Sequence, residues 1–236
     1  MNSKKKNIEA QIVEDFEKIR PAITRLLQTQ MKNDDLSLRY GRSKSNSKND
    51  IVINPSILVN TISKTNLDRD EVMIGTVVHE AIHATNNYTL DPESINKLFP
   101  EELDDVEDID DILEILTGPF GKYVFDILIH SIEEKIFVKQ YEGLNSILED
   151  IYTESFSEIK KLGNFSQYLS LLFHSITSYI DPEFENYKKP VVSSLNESLH
   201  ILKTLNYEDV NVSELIEATV QMLSLIHISE PTRQDR

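Results

Sequence analysis

The stretch Val77-Val78-His79-Glu80-Ala81-Ile82-His83 sets two histidines four residues apart, with a glutamate directly after the first. On a helix, residues four apart share a face, with β-carbons about 5–6 Å apart. His79 and His83 can then turn both imidazoles toward one metal ion. H-E-x-x-H on a helix is the spacing of a zinc site. Zinc takes neutral imidazole nitrogen at about 2.0–2.1 Å, and a catalytic zinc keeps three protein ligands and an open position for water. Glu80 lies about 100° around the helix from His79. It would sit beside the metal and act as general base toward the bound water. Zinc lowers the pKa of that water from about 15.7 to about 7, which gives a hydroxide-like nucleophile at neutral pH.

The flanks predict the helix that this spacing needs, over about 69–86. Asp68 or Asp70 suits its N-cap, and Asp70 and Glu71 suit its positive first turn. Val72, Thr76 and Val77 continue the stripe, and Asn86-Asn87 suits its end. Gly75 inside this helix costs about 1 kcal/mol relative to alanine; a close contact with neighbouring backbone is one compensation.

A third ligand must come from elsewhere. Asn86 and Thr89 stand where an H-E-x-x-H-x-x-G-x-x-H site needs glycine and histidine, so that class is excluded. The other common form draws a glutamate from a later helix. Lys122 to about Tyr141 reads as one long helix with Phe125, Leu128, Ile129, Ile132 and Ile136 as its apolar stripe. Asp126, His130, Glu133 and Phe137 follow one flank, with Glu133 nearest the apolar face and Glu134 almost opposite it. Glu133 is therefore the favoured ligand, with His130 and Glu134 as alternatives. Asp126 is a candidate to accept the second N–H of a ligating histidine. A hydrolase also needs an oxyanion donor; Tyr123, Tyr141, Tyr152 and His174 are available and unranked. His200 reads as a plain residue of an amphipathic helix.

Around these helices the chain is mostly helical by its apolar spacing. Ile8, Ile12, Val13, Phe16 and Ile19 open it; Pro21 predicts a kink or a new helix that runs on to about Met31. Leu36-Ser37-Leu38-Arg39-Tyr40 alternates, and Ile51-Val52-Ile53 is β-branched, so a β-hairpin with a long polar tip is expected. A short helix is expected after Ser56. Residues 101–114 read as an amphipathic helix with a solvated acidic face. A calcium loop is the sharper alternative there, but the stretch lacks the loop glycine of an EF-hand. Gly118-Pro119-Phe120-Gly121 is a break. Helical patterns follow at 145–160, 165–180, 191–205 and 212–222, with breaks at Asp181-Pro182 and Lys189-Pro190.

The 236 residues are 39% hydrophobic and 27% charged, enough for a real core. Net charge is −16, which disfavours nucleic acid and anionic membranes as partners and leaves an acidic surface for a protein partner. Without cysteine, zinc must be held by histidine and carboxylate. No apolar run approaches a membrane span, and the expected location is the cytoplasm. Leu223 to Arg233 looks like the conceptual translation of a transposon-end sequencing adaptor. Residues 223–236 are therefore expected not to be native, with the natural chain running past Met222, and His227 is set aside as a ligand.

His79-Glu80-x-x-His83 with a downstream Glu133-Glu134 helix resembles the Glu-ligated zincins, gluzincin-like metallopeptidases. The hairpin ending at Ile51-Val52-Ile53-Asn54-Pro55, the motif helix and Ile129-His130-Ser131-Ile132-Glu133-Glu134 are together similar to bacterial and phage metallopeptidase domains that often precede a von Willebrand A-type domain. Their later helix tends to read N-x-x-E-D; here His130 and Glu134 stand at the Asn and Asp positions. The resemblance covers about residues 36–140. It implies a mainly α (α+β), zincin-like helical domain with a small β-hairpin or sheet beside the metal helix. That sheet would align a peptide or protein substrate by edge pairing. The expected layout is an N-terminal helix or helices at 1–35, a metal-binding core at 36–142 and a C-terminal helical part of the same domain at 143–222. The expected function is a zinc metallopeptidase-like hydrolase. A catalytically inactive scaffold of the same fold, acting with a partner or a lost C-terminal domain, is the alternative; a non-peptidase zinc hydrolase is a third.

Overall fold

Ile12, Phe16, Ile23 and Leu27 are all buried, and they recur at helical spacing along the first element. The computed structural model describes residues 2–41, 49–54, 58, 62, 67–85, 109–140, 142–156, 159–179 and 184–225. In chain order the described elements are α1 (Asn2–Gln30), β1 (Ser37–Tyr40), β2 (Asp50–Ile53), α2 (Arg69–Thr85), α3 (Ile109–Thr117), α4 (Gly121–Gln140), α5 (Glu142–Phe156), α6 (Asn164–Thr177), α7 (Lys189–Leu202) and α8 (Val212–Leu225). The protein is mainly α, with one small two-stranded sheet among the described residues, as its patterning predicts. It divides into two compact units, Met1–Asn87 with Phe137–Ser155, and Tyr88–Ile136 with Phe156–Arg236. No described helix is long and apolar enough to cross a membrane.

In the first unit, α1 runs as one helix through Pro21, so no new helix starts there. Pro21 is exposed, and the buried stripe continues on both sides of it. Burial of that stripe thus holds together a helix with one amide donor missing. The stripe meets Leu36 and Leu38 from around β1, Ile51 and Ile53 from β2, and Met73, Val77 and Ala81 from α2.

The two strands pair, but not as the expected hairpin. They are parallel, with Leu38 beside Ile51 and Tyr40 beside Ile53. Ser37 N–H donates to the Asn49 carbonyl (2.8 Å) and Gly41 N–H to the Ile53 carbonyl (3.2 Å). Alternation marks a strand without giving its direction. On the outer side Arg39 grips Asp50 through Nε (2.8 Å) and Nη2 (2.7 Å), and this guanidinium holds the Asp50 carboxyl below its usual range.

α2 begins where the sequence places it. Asp68 is the cap: its carboxylate accepts the Asp70 N–H at 2.8 Å, and its carbonyl accepts the Val72 N–H at 3.0 Å. Val72, Met73, Val77, Val78, Ala81 and Ile82 are buried, so the helix is fixed by packing along its length.

The second unit is helical among its described residues. Ile112 and Leu113 of α3, Val124, Phe125, Leu128 and Ile132 of α4, and Tyr168, Leu171 and Leu172 of α6 share one core with α7 and α8. Gly118 turns the chain between α3 and α4 with φ +68°, a left-handed value that suits glycine. A 3-10 turn, Gly118–Phe120, follows. At α3, Asp110, Asp111 and Glu114 are exposed while Ile112 and Leu113 are buried, the amphipathic arrangement expected there. Residues 101–108, the expected helix after Ser56, the Asn86-Asn87 stop, the Asp181-Pro182 break and residues 226–236 lie outside the described residues, apart from Leu58 and Ile62, which are helical.

Candidate metal centre

The whole H-E-x-x-H motif lies on α2, so the four-residue spacing is a helical spacing. The buried residues of α2 surround a partly exposed pair, His79 and Glu80. The side chain of His83 lies outside the described residues. His79 and Glu80 open on a cleft of about 190 Å³ lined also by Gly75, Thr76, Leu148, Ile151 and Tyr152. Every residue of this cleft belongs to the first unit.

The far wall of the cleft is α5, brought close by Gly75. A β-carbon there would strike Ile151 Cδ1 and come within 3.1 Å of Ile147 Cγ2. The glycine inside the helix is thus explained by a close approach, made by side chains of α5 rather than by neighbouring backbone. One turn further along α2, the Tyr152 hydroxyl lies 2.9 Å from His79 Nδ1. Such a contact is what orients a metal-ligating imidazole through its other nitrogen. Where Nδ1–H donates to that hydroxyl, Nε2 is the nitrogen suited to a cation. The donor types at hand, imidazole and carboxylate oxygen without thiolate, fit zinc.

α4 of the second unit carries the other expected residues. Glu133 is buried, as its place near the apolar stripe predicts. Glu134 is fully buried as well, a correction to its expected position opposite the core. Ser131, Ile132, Glu133 and Glu134 are consecutive and all buried, and four successive residues sweep about 300° of a helix. This turn of α4 is therefore covered on nearly every side, and a one-sided stripe does not describe it. His130 Nε2 lies 3.4 Å from Glu134 Oε2, and the His130 ring meets Phe173 of α6 edge to face, centroids 5.5 Å apart. His174, next along α6, is 3% exposed. Burial pushes its pKa down to about 4, against the upward pull of the Glu134 carboxylate. His174 is thus neutral at pH 7.

The remaining candidates separate clearly. Asp126 is exposed on α4, while the described partner of His79 Nδ1 is a phenol. Tyr123 is 57% exposed, and Tyr141 lies outside the described residues. His200 is exposed on α7, as an amphipathic helix predicts. Tyr152 stood in the sequence only as one of several oxyanion candidates. Its contact with His79 joins residues 73 positions apart, and no short-range spacing signals such a pair.

Comparison with protein families finds no match, and comparisons with curated proteins and with solved structures find none either.

Proposed function

We propose that this protein is a zinc-dependent hydrolase of the metallopeptidase kind, acting in the cytoplasm on a peptide or protein substrate rather than on nucleic acid or membrane. The observation that carries this reading is the helical H-E-x-x-H of α2, with His79 engaged at Nδ1 by Tyr152 and Glu80 opening on the same cleft. His79 and His83 are the proposed imidazole ligands. A third ligand, for which the sequence favours Glu133 with Glu134 and His130 as alternatives, completes the proposed set.

Zinc, when bound, supplies the Lewis acidity that makes water a nucleophile at neutral pH. The chain's own groups do the rest. Glu80 accepts the proton of the attacking water and passes it to the leaving amine. Leu148 and Ile151 line the same cleft as Glu80. A net charge of −16 disfavours polyanionic partners.

The test is metal analysis of the purified protein together with hydrolysis of fluorogenic peptide, amide and ester libraries. Stoichiometric zinc is expected in the wild type and none in His79→Ala. Glu80→Gln is expected to keep zinc and to lose hydrolysis by at least about 100-fold. Absence of metal from the wild type overturns the zinc reading. Zinc with no hydrolysis of any class favours the inactive scaffold. Cleavage confined to esters or non-peptide amides marks a different hydrolase.

A further inference from the structure

We infer that Tyr152 is a positioning residue that holds His79 in the metal-binding tautomer, an assignment that rests on the zinc reading of the same motif. Neutral imidazole has one N–H, so only one nitrogen at a time can offer a lone pair to a cation. The Tyr152 hydroxyl meets Nδ1 at 2.9 Å. If the phenol donates to Nδ1, the proton sits on Nε2 and that nitrogen cannot ligate. If Nδ1–H donates to the phenol oxygen, Nε2 is left as the ligating atom. A metal-competent His79 therefore requires Tyr152 as acceptor, and a cation on Nε2 enforces that direction.

The surroundings are built to keep the contact. Gly75 and His79 lie four residues apart on one face of α2. On α5, Leu148 and Ile151 face Gly75 and Tyr152 faces His79. Gly75 lets the two helices close, and Tyr152 uses the resulting reach one turn on. The rings of His79 and Tyr152 are tilted at 58° with centroids 6.4 Å apart, an edge-on hydrogen-bonding approach rather than a stack. This gives Tyr152 a different task from oxyanion stabilisation, in which the phenol would donate to substrate.

The experiment compares wild type with Tyr152→Phe, which removes one oxygen. The His79 tautomer is read in zinc-free protein from long-range ¹H–¹⁵N correlations of the imidazole, assigned by their loss in His79→Gln. Zinc affinity is read by chelator competition. The wild type is expected to show the Nδ1–H form and Tyr152→Phe to shift toward Nε2–H, with zinc bound about 10–100-fold more weakly. An unchanged tautomer and unchanged affinity in Tyr152→Phe overturn the inference. A loss of turnover with both of these unchanged overturns it too, in favour of an oxyanion role. If the wild type binds no zinc, the function reading fails by itself, and the tautomer comparison in metal-free protein still decides what Tyr152 does to His79.

Discussion

Gly75 of α2 and Ile151 of α5 meet so closely that a β-carbon at Gly75 would collide with the Ile151 methyl terminus. Leu148 Cδ2 would lie 3.6 Å from the same atom and Ile147 Cγ2 3.1 Å. The glycine costs α2 about 1 kcal/mol of helix propensity and gains a helix contact at one wall of the cleft.

That contact gives a double-mutant test. Gly75→Ala recovers propensity but overpacks, so a net loss of roughly 1 kcal/mol is expected. Ile151→Val alone opens a small cavity and costs roughly 1 kcal/mol. Together the two changes relieve one another, because valine lacks the colliding methyl. The double mutant is expected to be more stable than the sum of the singles by at least about 0.5 kcal/mol. Urea denaturation measures this; strict additivity would mean that the glycine serves something other than this approach.

The carboxylates of α4 give a second test. Glu133→Gln keeps the shape and removes the carboxylate that the sequence favours as a ligand, so its zinc affinity is expected to fall more than about tenfold. Glu134→Gln is expected to bind zinc within about threefold of wild type. Chelator competition measures both. Loss of zinc in Glu134→Gln with retention in Glu133→Gln would move the ligand role to Glu134.

What the sequence made legible follows the range of each signal. Helix periodicity, the Asp68 cap and the Gly118 break act over one or two turns, and the described elements match them closely. Strand pairing at 37–40 and 50–53 was legible from alternation, yet its parallel sense was not, because alternation carries no direction. Pro21 predicts a kink or a new helix from local chemistry; burial of Phe16 and Ile23 on either side of it keeps α1 one helix. Glu134 was misplaced for a related reason. One apolar stripe gives one buried face, whereas α4 is covered at Ser131 to Glu134 on nearly all sides. For the site, the H-E-x-x-H spacing named His79 and Glu80 directly, while the partner of His79 came from α5, which only tertiary packing brings to it.

Alkaline stability should report on the core of the second unit. The Tyr168 hydroxyl is fully buried and 2.8 Å from Ser198 Oγ. Ser198 itself donates to the Ser194 carbonyl at 2.9 Å, so Tyr168 is the donor of the pair. Burial pushes the Tyr168 pKa up from 10.0 to about 12. Between those pH values the unfolded chain has lost the phenolic proton and the native chain has kept it. The native state then binds more protons, and stability falls as pH rises. The contribution is fully present below pH 10 and is lost by about pH 12, a change of about 3 kcal/mol. The half-buried Tyr187 and Tyr207 are shifted in the same direction by burial, so the difference between wild type and Tyr168→Phe isolates this one. At pH 8, Tyr168→Phe loses one hydrogen bond while Ser198 keeps its own donor satisfied, and a cost of about 1 kcal/mol is expected. Between pH 10 and 12 the variant lacks the titrating group, and its stability curve should cross above that of the wild type. Thermal melts from pH 8 to 12 measure both curves; parallel curves with no crossing would show that the Tyr168 phenol does not control alkaline unfolding.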